Sequence, residues 1–132
     1  MTKNVKWIDR SLYDAPFCIG LCLSERAFKA ELKKLKVPRE TWPEWVSPVH
    51  DAHVVTVSQE STRTKLCFVC VDGVSDGEAM LGILVHEATH VWQAICEDMG
   101  EDEPSSEFEA YALQKISQGL ISAWLSGSKK KK

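Results

Sequence analysis

The sequence predicts an α+β domain: a small mixed or antiparallel sheet packed on one long helix, with a second helix at the C-terminal end. Three observations carry this. Apolar, β-rich runs occupy residues 15–23, 52–58 and 65–72. Helical spacing of apolar residues covers the stretch from Asp76 to Met99, and a second helical stretch starts at Ser105 or Ser106. At 132 residues the chain has the length of one domain with one core, here residues 1–128.

Residues 5–14 give little pattern, and Trp7, Ile8, Leu12 and Tyr13 read as anchors of a short helix or turn. The run from Ala15 to Leu23 reads as a strand, with Gly20 marking a bulge or a close contact. Ser24 is a suitable N-cap for a helix through Lys36, whose apolar stripe is Ala27, Phe28, Leu32 and Leu35, and Pro38 ends it. Trp42 and Trp45 fall in the following loop, as plugs at a core edge or as walls of a groove.

The runs 52–58 and 65–72, joined by polar residues, read as a β-hairpin. Residues 66–71 are apolar almost throughout, the signature of a central strand. Ser75 or Asp76 caps the long helix and Gly100 ends it. Its apolar stripe is Leu81, Leu84, Val85, Ala88, Val91, Trp92 and Ile95. The last helix extends to about Trp124–Leu125, and Lys129–Lys132 form a disordered basic tail.

The long helix carries His86-Glu87-Ala88-Thr89-His90, an H-E-x-x-H pattern. Residues four apart on a helix lie one turn above each other, so both imidazoles leave one face and can share a Zn²⁺. The glutamate beside the first can act as base on a water held at the ion. The apolar flanks support a real helix with a packed side and a second side, toward Ala79, Ile83, Gln93 and Ala94, that can floor a cleft.

A catalytic zinc site takes three protein ligands and one water. Downstream stands Glu107-Phe108-Glu109-Ala110-Tyr111-Ala112. Together with the first motif this resembles the gluzincin metalloproteases, the group that includes thermolysin, in which a glutamate from a later helix completes the site. The segment Glu107-x-x-Ala110-Tyr111 is similar to the E-x-x-A-D and E-x-x-A-N segments of CAAX-type membrane proteases and ImmA/IrrE-type regulators. The stretch His86 to Gln114 also resembles small phage-encoded proteins. The resemblance covers the last third to half of the chain. It implies a zincin-like fold, zinc held by His86, His90 and Glu107, and Glu87 as the catalytic base of a peptidase.

Tyr111 departs from the Asp or Asn of those families, and the gap after His90 is short, which suggests a minimal enzyme. The choice of Glu107 follows the family pattern. Periodicity favours Glu109, which falls in the inward stripe with Ala112, Leu113, Ile116 and Leu120, but Ser106-x-x-Glu109 is also a capping box. His50, His53, Tyr13 and Tyr111 are candidates for a second donor to the oxyanion. Residues 54–58 are the expected strand for binding a peptide by β-augmentation. A non-catalytic zinc domain acting as an interaction or inhibitor module is the alternative, and a chain that binds no metal is a third.

Composition narrows the classes. The hydrophobic fraction is 44% and the charged fraction 27%, a soluble globular balance. Net charge is −3, and without the four terminal lysines 12 basic residues face 19 acidic ones, so nucleic-acid binding by the body is not expected. No apolar run approaches the roughly 20 residues of a membrane helix. The first ten residues contain no signal-peptide core, so a cytoplasmic location is expected. Five cysteines without a secretion signal read as buried, reduced thiols, and Cys67 and Cys70 would face opposite sides of a strand.

Overall fold

The computed structural model describes residues 5–8, 17–46, 50–59, 64–74 and 76–129. The elements are β1 (Lys6–Trp7), β2 (Phe17–Cys22), α1 (Glu25–Lys34), a 3-10 turn (Arg39–Thr41), β3 (Ala52–Gln59), β4 (Thr64–Val71), α2 (Gly77–Met99) and α3 (Ser106–Lys129). This is an α+β architecture with a four-stranded mixed sheet in the order β1-β2-β4-β3.

Strand β4 lies inside the sheet. It runs parallel to β2, with Cys18 opposite Leu66 and Cys22 opposite Cys70, and antiparallel to β3, from Ala52 opposite Val71 to Gln59 opposite Thr64. The expected hairpin and central strand are both present. Alternation along β4 divides the core in two. Cys67, Val69 and Val71 join α2 and α3 on one face, and Leu66, Phe68 and Cys70 join α1 on the other. Cys67 and Cys70 therefore do face opposite sides, and all five cysteines are free.

Residues 5–8 form no helix: Lys6 and Trp7 pair antiparallel with Leu21 and Gly20. Gly20 marks a close contact, since a Cβ there would lie 2.5 Å from Val5 Cγ1 and 3.0 Å from the Trp7 ring. Leu12 and Tyr13 lie outside the described residues.

Helix α1 is capped as expected, with Ser24 Oγ accepting from the Ala27 amide at 3.1 Å. It ends before Pro38 and for a different reason. Lys36 takes a left-handed φ of 58°. The Lys36 amide then donates to Lys33 O and the Val37 amide to Leu32 O, a Schellman closure with Leu32 and Val37 both buried. Trp42 and Trp45 plug the edge of this layer. Trp42 Nε1 donates to Val37 O at 2.8 Å, and the Trp45 ring lies 5.6 Å from Phe28.

Helix α2 starts at Asp76, whose carboxylate accepts from the Ala79 amide; Ser75 lies outside the described residues. It ends at Gly100 with φ 71°, where the Glu101 amide returns to Cys96 O. Its buried arc is Met80, Leu84, Glu87, Ala88, Val91, Trp92 and Ile95. Leu81 and Val85, expected in the stripe, are exposed at 41% and 49%. The helix is turned toward Met80 and Glu87. Apolar spacing locates a packed face but not the centre of what covers it. An ion pair between Lys65 at the start of β4 and Asp98 ties the end of α2 to the sheet.

Helix α3 is opened by Ser105, whose Oγ accepts from the Phe108 amide at 3.3 Å, and not by a Ser106–Glu109 capping box. It packs on α2 through Ala112, Ile116 and Leu120, all buried. The helix continues to Lys129, beyond the expected end at Leu125, and residues 130–132 lie outside the described residues. No helix among the described residues is long and apolar enough to cross a membrane.

Candidate metal centre

On α2 the residues of the H-E-x-x-H motif have three environments. His86 and His90 are exposed one turn apart, and Glu87 between them is 4% exposed. The two rings meet edge to face with centroids 4.9 Å apart. Their Nε2 atoms approach to 3.2 Å. Two nitrogens each about 2.0–2.1 Å from one tetrahedral zinc stand about 3.3 Å apart, so the pair already has the spacing of two ligands on one ion. One ligand atom from each of His86, Glu87 and His90 lies within 4.8 Å of the others. This group can bind a metal ion.

The turn toward Glu87 noted for α2 puts that carboxylate under the sheet. Oε2 is buried without a hydrogen-bond partner. Burial pushes its proton affinity above the ordinary carboxylate value, and the nearby His90, His86 and His53 pull it back down. A buried, unpartnered carboxylate oxygen beside two convergent imidazoles is costly unless a water or ion completes it, which supports a metal at this position.

Above the motif lies a cleft of about 500 Å³ between α2 and β3, lined by His50, His53, Val54 and Thr56 on the strand side and by Gln93 and Glu97 on the helix. Strand β3 is the edge of the sheet, paired only with β4 among the described residues. Its alternation turns Ala52 and Val54 toward α2, and Val55 and Val57 toward α1. By that alternation His53, paired with Cys70, belongs to the α1 side, although it also lines the cleft. Its Nε2 is buried and unpartnered. His50 is exposed and lines this cleft and a neighbouring hollow that also reaches His86 and Glu87.

The remaining sequence candidates are placed elsewhere. Glu107 is exposed on the first turn of α3, and its carboxylate is not in the His86–Glu87–His90 group. The Glu109 carboxylate accepts from Trp92 Nε1 at 2.8 Å. Trp92 is two residues beyond His90, about 200° around the helix, so α3 packs on the side of α2 away from the imidazoles. Tyr111 is 59% exposed on α3.

Gln93, placed by the sequence on the cleft side of α2, has in addition a direct contact with the motif that the sequence reading does not include. Gln93 Oε1 lies 3.0 Å from His90 Nδ1. Its signal is present in retrospect: a glutamine three residues after a candidate ligand is within side-chain reach on a helix. Comparisons of the chain with protein families, with curated proteins and with solved structures found no match.

Proposed function

We propose that the chain is a zinc-dependent peptidase of zincin-like fold. His86 and His90 hold the ion, and Glu87 is the base. The observation that carries this reading is the 3.2 Å approach of the two Nε2 atoms beside the buried, unpartnered Glu87 Oε2. When bound, zinc would lower the pKa of a coordinated water to about 7 and polarise a carbonyl.

Glu87 takes the proton of the attacking water as its oxygen adds to the peptide carbonyl. It gives that proton to the amine nitrogen as the C–N bond breaks. The raised proton affinity of Glu87 suits both halves of this transfer. The substrate is an extended peptide along β3, whose outer edge carries no strand among the described residues and which walls the cleft. Of the sequence candidates for a second oxyanion donor, His50 and His53 are the two that line the cleft.

The third ligand in this reading is Glu107, which rests on the family resemblance alone, since its carboxylate lies outside the His86–Glu87–His90 group and on the helix that packs away from the imidazoles. A purely structural zinc would sit in a closed site of four protein ligands. Two exposed imidazoles on an open cleft favour catalysis over that alternative.

The test is the substitution Glu87→Gln. It is expected to keep zinc, measured by elemental analysis, and to lose cleavage of an unfolded peptide. A variant that cleaves as well as the parent defeats the mechanism.

A further inference from the structure

We propose that Gln93 is a positioning residue that holds His90 in the tautomer protonated on Nδ1, leaving Nε2 bare to receive a metal. This rests on the reading of His90 as a ligand. The contact is Gln93 Oε1 to His90 Nδ1 at 3.0 Å. An amide oxygen can only accept, so the hydrogen lies on Nδ1. In the neutral ring the lone pair is then on Nε2, the atom that faces His86. A ligating histidine is oriented by whatever its other nitrogen donates to, and here that acceptor comes from the same helix.

The second contact extends the argument. His90 Nε2 has no hydrogen to give, so the 3.2 Å approach to His86 Nε2 requires that His86 be the donor. Without metal the two imidazoles are therefore unequal. His90 presents a lone pair, and His86 presents a proton that must leave Nε2 before it can ligate. Gln93 makes His90 the first ligand and His86 the second.

A glutamine at this spacing also has an ordinary role, a weak hydrogen bond on a helix surface. That role would leave the tautomer of His90 to its intrinsic preference. The experiment reads the tautomer directly in the full-length, metal-free chain, by long-range ¹H–¹⁵N correlation of the His90 ring. The parent is expected to show a protonated Nδ1 and a bare Nε2. Gln93→Leu is expected to shift His90 toward the Nε2-protonated form, and Gln93→Glu to restore the parent pattern.

Zinc affinity, read by competition with a chromophoric chelator, is expected to fall about tenfold in Gln93→Leu and to recover in Gln93→Glu, at the low end for an outer partner of a ligand because the contact is exposed. An unchanged His90 tautomer in Gln93→Leu overturns the proposal, and so does an unchanged affinity once the tautomer has shifted. If the parent binds no zinc, the metal reading fails and the tautomer comparison still decides whether Gln93 sets the ring.

Discussion

The Glu109 carboxylate accepts a 2.8 Å hydrogen bond from Trp92 Nε1, joining α3 to the packed face of α2. Trp92 is 2% exposed, so its indole N–H has no ready replacement in water. Glu109→Ala is expected to destabilise the fold by about 1–3 kcal/mol, the cost of a buried donor left unpaired. Glu107→Ala, on an exposed turn, is expected to change stability by less than about 0.5 kcal/mol. Urea unfolding followed by tryptophan fluorescence measures both. The same two proteins separate the candidate third ligands by elemental analysis. Zinc retained in Glu107→Ala and lost from a still-folded Glu109→Ala would move the assignment to Glu109.

Glu87 gives a prediction in pH. Burial raises its folded proton affinity above that of the unfolded chain. The folded state therefore holds this proton more tightly, and stability falls as pH rises from the unfolded value, about 4.3, through the raised folded one. In metal-free protein Glu87→Gln is expected to be at least as stable as the parent at pH 7, with the difference shrinking toward pH 4. Thermal melts in the presence of a chelator across that range check it. A parent that outlasts the variant at pH 7 would contradict the burial penalty.

The thiols divide by depth. Cys22, Cys67 and Cys70 are buried, while Cys18 and Cys96 are half-buried. Burial, and then the neighbouring Cys70, push the Cys67 thiol up to about 12. Cys70 is raised by its hydrogen bond with Cys22 and by burial. At pH 8 a thiol reagent is expected to modify at most two cysteines in the native protein and all five after unfolding. Rapid native labelling at Cys67 would show that β4 is more open than described.

Gly20 tests the first strand. A methyl group there meets Val5 Cγ1 and the Trp7 ring. Gly20→Ala is expected to cost about 1–3 kcal/mol as β1 is pushed off β2. Its signature is faster amide exchange at Lys6 and Trp7, with the β3–β4 hairpin unaffected.

The elements legible in the sequence were those fixed by local rules. Asp76, the apolar spacing and Gly100 bound α2, and the run Leu66–Val71 marked the central strand. The first strand was not legible, because two residues carry no period and Lys6 and Trp7 become β structure only by pairing with β2. The end of α1 was misplaced because a lysine, not a glycine, takes the left-handed position. At the site, the imidazole pair and the glutamate could be read from one helix turn. The carboxylates of α3 could not: a glutamate at 109 fits a capping box, a ligand or an indole acceptor equally well. Its partner, Trp92, is 17 residues away in sequence. The facing of His50 and His53 likewise depends on which side of β3 meets α2.

His86 and His90 ride on successive turns of one helix, whereas Glu87 owes its environment to the sheet packed over it. The first arrangement is local and the second is tertiary. If thermal loosening lifts the sheet from α2, the imidazole pair keeps its spacing while the carboxylate returns to water and to ordinary acidity. On the proposed reading, ion capture would then outlive the strong base. A partly melted chain would still take up metal while having lost the group proposed to move the proton, so metal content would be a poor measure of how much competent protein a preparation contains.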